Sequence, residues 1–574
     1  MLVAALALAA VWATQFALLA PTNFTRTDEW LYVSLTSRGI VDCPHMQRPL
    51  ALLWALPGAL LPHRFVGFHL TDGVYVLLTG WLVFLLARRL SGDVVLALLA
   101  GVFALVWAPR DMNRLLTVQA TVAAGPTCAT LLAFVLLVEA WARRRALLLV
   151  LAGAVAFVTV RSYEATAALM LGGPLLVLWL AGVRSRRGWI WAGAFGGVVA
   201  VAVALTALFL RRPEASYQFA LGFDPRPFAV LRRLALQFGL HLLPLFAPPP
   251  ALMTLAVGVA VAVFLAGYGL VATSIAMSTA MSHRRGNACS SPPLPLRGEG
   301  QGGGSMNEER ARGRPAVAGL VALGAVLAAL GYLPFCLLSS IQSATRTQFL
   351  SGPGIALLLA AAFTLAASFL PARGRLLGLG VLGAWVVAFG TGNTVAMQRL
   401  WTRMSSYSAQ TSLLRQLTAR MPDVRAHTLV VLIDGNDAFP AIFTFRHAIG
   451  YLYDQRAAGI VWGAADYLYS FTFDEEGVRL EPWNAIRGAW RDEPTRYGYG
   501  ELIVARGGAE GRLALLRDWP PELPPLPPSA RYDPEARIVR GGPAVRAQQI
   551  LYEQTLTVRD GVTSDLMRRQ EGAR

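Results

Sequence analysis

Thr27-Asp28-Glu29-Trp30-Leu31-Tyr32 stands just after the chain's first apolar segment, Met1 to Ala20. If that segment crosses a membrane, two carboxylates meet the first membrane surface on its far side. Carboxylates at such a place are either solvated loop residues or the general base with which a membrane-embedded transferase deprotonates an acceptor hydroxyl. The choice depends on the rest of the chain.

The 574 residues are 55% hydrophobic and 15% charged, with a mean hydropathy of +0.48. Such a composition, with its many long apolar runs, belongs to a polytopic membrane protein. The formal net charge is +17, and all 51 basic residues are arginine. From Met397 onward 22 arginines face 21 acids, so the first 396 residues hold 29 against 13. Those arginines cluster between apolar segments: Arg88-Arg89, Arg143 to Arg145, Arg184 with Arg186-Arg187, Arg284 through Arg314, and Arg373 with Arg375. This is the positive-inside pattern and excludes a nucleic-acid footprint. The four cysteines are far apart and imply neither a disulfide framework nor a zinc site. The first twenty residues lack a basic start and Pro21 follows Ala20, which predicts an uncleaved anchor.

Segments long enough for a hydrocarbon core lie near residues 1–20, 65–87, 93–108, 119–140, 146–160, 163–182, 189–210, 251–276, 315–338, 347–371 and 376–396. With the N-terminus inside, eleven crossings put every arginine cluster on the cytoplasmic side and the C-terminal tail outside. Arg211-Arg212 conflict with this, so the side of the 211–250 loop is the weak point. Within it, residues 227–241 carry Phe228, Val230, Leu231, Leu234 and Phe238 on one face, predicting an interfacial or bundle-packed helix. Residues 282–315, rich in Gly, Pro and Ser, read as a disordered cytoplasmic linker.

The fold class expected is an α-helical polytopic bundle of about eleven transmembrane helices over residues 1–396, followed by a mixed α/β extracytoplasmic domain over 397–574. In that domain Thr428 to Ile433 reads as a strand. Residues 461–473 and 501–505 read as further short ones.

Charged groups concentrate on the predicted outer face and are scarce at mid-span, which argues against ion-coupled transport. A carboxylate base beside guanidinium groups suits transfer from a donor whose leaving group is a phosphate. An outer-face enzyme has no cytosolic nucleotide sugar, so the donor would arrive on a lipid.

Thr27-Asp28-Glu29-Trp30-Leu31-Tyr32, followed by Gln47-Arg48-Pro49-Leu50, resembles the first outer loop of the GT-C superfamily. These are membrane glycosyltransferases that use polyprenyl-phosphate sugars, among them protein O-mannosyltransferases and lipid A aminoarabinose transferases. The resemblance implies Asp28 as catalytic base and Glu29 as a supporting or metal-facing carboxylate. It implies an inverting hexosyl or pentosyl transfer from a polyprenyl-phosphate donor to a lipid, glycan or protein acceptor of a bacterial cell envelope, in the inner or plasma membrane. The substrate-binding candidates are Arg48, Asp111, Arg161, Glu164 and Arg346, the last for the lipid phosphate. No cofactor is indicated; a divalent metal is the alternative. Two other readings stay open: a non-enzymatic transporter or scaffold of the envelope, and a glycan polymerase or ligase acting on lipid diphosphates.

Overall fold

Residues 1–46, 48–61, 64–210, 222–288, 306–339, 347–435, 437–507 and 512–541 are described by the computed structural model. Inside a bilayer a backbone must satisfy its own polar groups, which a helix does. All eleven apolar segments are helical: α1 (Leu2–Phe16), α3 (Arg64–Ser91), α4 (Val94–Val106), α5 (Gln119–Arg143), α6 (Ala146–Ser162), α7 (Gly172–Ala181, after a helical turn at Thr166–Met170), α8 (Arg186–Leu210), α10 (Leu255–Ala288), α11 (Met306–Cys336), α12 (Gly352–Ala367) and α13 (Ala372–Met404). Between them lie α2 (Asp28–Ser37) and α9 (Pro227–Leu242). Among the described residues seven stretches are long and apolar enough to cross a membrane: Phe65–Ser91, Thr121–Arg143, Arg186–Leu208, Pro227–Leu245, Leu255–Ser278, Ala316–Cys336 and Arg373–Arg420. Five other apolar helices are shorter, at 10–17 residues. The chain is therefore a multi-pass membrane protein by length and composition.

The stretch read as an interfacial helix, α9, is among the seven. Val230, Leu234 and Phe238 pack against the bundle and Gln237 and His241 are buried, while Phe228, Leu231 and Leu236 are exposed together with Arg232. The predicted linker is entered from both sides, since α10 runs to Ala288 and α11 starts at Met306; residues 289–305 lie outside the described residues. Likewise α13 runs past residue 396 to Met404.

Three arginine clusters meet at one end of the bundle. Glu139 binds both Arg89 and Arg143, the latter at 2.7 Å, and the Arg187 guanidinium lies 5.6 Å over the Trp191 ring. Asp93, at that same end, caps α4 by accepting from the Val95 and Leu96 amides at 2.7 and 3.1 Å.

The C-terminal part is built on β2 (Thr428–Ile433), whose every residue is buried. A continuous apolar run is what a strand covered on both faces requires. It pairs in parallel with β3 (Ala457–Val461) and β7 (Leu502–Gly507), and β7 pairs antiparallel with β8 (Leu513–Leu515), giving the order β3-β2-β7-β8. The β2–β3 connection carries α15 (Ile442–Leu452), as a parallel crossover demands. Beside this sheet β4 (Tyr469–Asp474), β5 (Gly477–Pro482) and β6 (Thr495–Tyr497) form an antiparallel one. A helix, α14 (Tyr407–Arg420), links the domain to the bundle, and β1 (Asp423–Val424) pairs with β9 (Ile538–Val539).

The molecule has two principal apolar cores. One fills the bundle; the other combines the sheet domain with residues Phe24, Trp30, Leu31, Val33 and Leu35 and with Phe65 and Phe68 at the head of α3. The segment holding the acidic pair is thus part of the core of the sheet domain.

Candidate functional site

Helix α2 starts at the acidic pair itself. Two acids in a first turn complement the helix dipole. The helix ends at Ser37, beyond which Gly39 takes a φ of +72°, a conformation glycine adopts without steric cost. The two carboxylates have different fates. Glu29 is 1% exposed and turns back, accepting from the Thr25 amide at 2.9 Å and the Thr25 hydroxyl at 2.5 Å. Burial raises its pKa from 4.5 to about 7, against the lowering by the Thr25 hydrogen bonds. Asp28 remains half-buried at the first helical position, its amide directed to the Thr25 hydroxyl.

The sheet domain holds the rest of α2. Trp30 donates its indole N–H to Gln410 Oε1 at 2.9 Å and stands edge-on to Phe65, centroids 5.3 Å apart. Arg38 donates to the Trp490 carbonyl and lies 3.7 Å from Asp492. Asp492 also accepts from the Tyr469 hydroxyl and lies 3.5 Å from Arg446. Burial pushes the Asp492 carboxyl up, but Arg446, His447, the Tyr469 hydroxyl and Arg38 outweigh it, leaving the group below its ordinary range.

Arg48 is gripped by Glu164, Nε to Oε2 at 2.6 Å and Nη2 to Oε1 at 2.5 Å, with the guanidinium 4.5 Å over the Tyr163 ring. Burial lowers its pKa and the Glu164 carboxylate more than restores it. Tyr32, one turn after Asp28, joins the two: burial first, then the Asp28 charge, lifts its phenol well above the ordinary value, while Arg48 acts in the other direction. Cys43 bridges to Arg48 through the backbone and is fully buried. Tyr163 and Glu164 thus surround Arg48, and Asp28, Tyr32 and Arg48 lie within electrostatic reach of one another. Arg161 reaches elsewhere, donating to the Thr206 hydroxyl at 3.2 Å, with Asp42 in its field.

Asp111 belongs to a second group. It is 2% exposed, accepts from the Asn113 amide at 3.0 Å, and is raised to about 7 by burial against the effects of backbone hydrogen bonds and Arg114. Arg346 lies outside the described residues, as does Gln47. Sequence reading did not single out Tyr32, Gln410 or Asp492. Tyr32 had a readable signal, since residues four apart share a helix face; Gln410 and Asp492 had none.

Glu29, expected to support the base or face a metal, spends both oxygens on Thr25. Among the described residues no three His, Cys, Asp or Glu side chains gather as ligands.

No family model and no curated protein matches the chain. Solved structures resemble it loosely. The apo oligosaccharyltransferase of Archaeoglobus fulgidus aligns over 80% of this chain and 64% of its own, at 13% identity and a TM-score of 0.40. The oligosaccharyltransferase AglB of that organism, in complex with an inhibitory peptide and a dolichol-phosphate, aligns over 79% and 64% at 12% identity and 0.38. The chain thus spans under two thirds of the length of these proteins.

Proposed function

We propose that the chain is an integral-membrane glycosyltransferase of the GT-C type. In this reading it moves a sugar from a polyprenyl-phosphate donor to an acceptor of the cell envelope, with inversion, on the extracytoplasmic face where residues 397–574 stand. One observation carries the reading: of the two acids after the first apolar helix, Glu29 is folded away onto Thr25, and Asp28 is left half-exposed in the same neighbourhood as Arg48. Asp28 takes the proton of the acceptor hydroxyl, the hydroxyl oxygen bonds to the anomeric carbon, and the bond from that carbon to the phosphate oxygen breaks. The polyprenyl phosphate leaves as an anion, which the guanidinium of Arg48 stabilises. Nε and Nη2 of Arg48 hold Glu164, while Nη1 stands 3.7 Å from the Met46 sulfur, a soft contact that a phosphate oxygen displaces.

The test is Asp28→Asn in purified full-length protein, assayed with a polyprenyl-phosphate sugar and envelope extract as acceptor source. Transfer falls by about a hundredfold or more with an unchanged melting temperature; full activity in that variant removes the assignment.

A further inference from the structure

The segment Trp107–Val118 covers a polar cluster of a kind that apolar bundles seldom bury. Asp72, seven residues into the Phe65–Ser91 stretch, is 3% exposed, and the Arg114 guanidinium lies in the field of both Asp72 and Asp111. The Arg110 amide donates to Gln348 Oε1 at 3.2 Å, and Ser351 donates to the Gln348 carbonyl at 2.9 Å. His241, fully buried, is hydrogen-bonded through Nδ1 to Tyr332, which itself feels Asp111. Hydrogen bonds thus tie the 107–118 segment to the start of α12 and α9 to α11, and Asp72 of α3 lies within electrostatic reach of Arg114.

Four atoms in this cluster have no hydrogen-bond partner among the described residues: Asp72 Oδ1, Arg114 Nε, His241 Nε2 and Gln348 Nε2. Asp72, His241 and Gln348 are each at least nine-tenths buried. A polar group buried without a partner is costly, so such a set either binds something or weakens the fold. Its chemistry selects the ligand. Arg114 Nε and Gln348 Nε2 donate, Asp72 Oδ1 accepts, and the imidazole nitrogen does either according to tautomer. A phosphate ester dianion offers acceptors only and leaves the accepting Asp72 Oδ1 without a donor. A cation needs acceptors only and would meet Arg114. Hydroxyl groups donate and accept at once.

We propose that this cluster is a saccharide subsite, in which Asp72 accepts from one ring hydroxyl and Gln348 and Arg114 donate to its neighbours. It is separate from Asp28, and it rests on the transferase reading only for the source of the sugar, the donor ring or the acceptor ring.

The test uses full-length protein in lipid nanodiscs, with melting temperature followed against methyl glycosides of glucose, mannose, galactose and arabinose, inorganic phosphate, and magnesium and calcium ions. At least one glycoside raises the melting temperature saturably, whereas phosphate and the cations do not. In Gln348→Leu and His241→Phe the glycoside half-saturation point moves up about tenfold or more. Gln348→Leu strands the Arg110 amide and His241→Phe the Tyr332 hydroxyl, so each variant melts below wild type without ligand; the glycoside shift is read against each variant's own cooperative unliganded melt, which separates lost binding from lost folding. Asp28→Asn keeps the glycoside shift, so failure of the base assignment leaves this result standing. A short-chain polyprenyl-phosphate sugar distinguishes the sources: competition with the glycoside assigns the donor ring and simultaneous binding the acceptor ring, and either supports the subsite. The proposal is overturned if no glycoside shifts the melt, if the shift survives in both variants, or if phosphate or a cation gives the variant-sensitive shift instead.

Discussion

Arg48 and Glu164, 116 residues apart in sequence, close into a two-pronged fork whose arms measure 2.6 and 2.5 Å. Both side chains are largely shielded, at 17% and 28% exposure, so removing one leaves the other charge poorly solvated. Arg48→Ala lowers unfolding stability by about 2 kcal/mol, near the worth of hydrogen bonds to charged groups. The reversed pair Arg48→Glu with Glu164→Arg recovers part of that stability, yet its transfer rate stays low because no cation then stands in the place of Arg48. Denaturation curves and initial rates on the three proteins decide it; recovery of rate in step with stability makes the fork purely structural.

Glu29 carries a pH dependence of definite sign. Its folded pKa of about 7 lies above its ordinary 4.5. Between those values the folded state holds the proton and the unfolded state does not, so stability falls as pH rises through that window and levels off above it. The full span is about 3 kcal/mol. Asp111 adds a fall of the same sign, having risen from 3.8 to about 7. Glu29→Gln removes the Glu29 part alone, so wild type and variant converge or cross between pH 5 and pH 8 in denaturant titrations. Parallel curves throughout that range contradict the assignment.

Asp492 behaves in the opposite sense. Its carboxyl is held below 3.8, so its contribution is complete above that value and is lost only as pH falls through the lower folded one. At neutral pH it is a fixed anion against Arg38 and Arg446. Asp492→Asn leaves two shielded guanidinium groups uncompensated and destabilises by about 3 kcal/mol. Hydrogen exchange across residues 28–37 then rises, since Arg38 is one of the groups that fasten α2. Unchanged exchange there with an unchanged melt speaks against the fastening.

What hydropathy and periodicity encode locally was readable in the chain. The eleven apolar segments emerged as helices, and Thr428 to Ile433 as a strand with the bounds found, because a buried parallel strand is a continuous apolar run. The acidic segment itself read as a loop and is a helix, since Trp30, Leu31 and Tyr32 find their apolar surroundings in a domain almost four hundred residues later. No local pattern announces such a contact. Asp72 read as a charge near a span end, and its burial beside Arg114 depends on how the 107–118 segment folds over α3. The Arg48–Glu164 pairing was hidden for a similar reason: both residues were candidates, but opposite charges in distant segments have many possible partners.

Gln410 is the staple between the acidic segment and the sheet domain. Its Oε1 accepts from the Trp30 indole at 2.9 Å, and its Nε2 donates to the Arg26 carbonyl at 3.1 Å and the Ala438 carbonyl at 2.9 Å. Gln410→Leu keeps the volume and strands all three partners, at a cost of about 2–3 kcal/mol. Gln410→Glu retains the acceptor for Trp30 but presents a carboxylate to two carbonyl oxygens, so it does not restore the staple. Because Arg26 and Trp30 flank Asp28, loosening them displaces the base from its working geometry, and misplacement of a reacting group lowers turnover steeply. The expected signature is a fall in kcat of about tenfold or more with KM for the lipid donor nearly unchanged, measured below the melting temperature of the variant. A matching rise in KM with kcat preserved would mean that Gln410 supports donor binding instead of the position of Asp28.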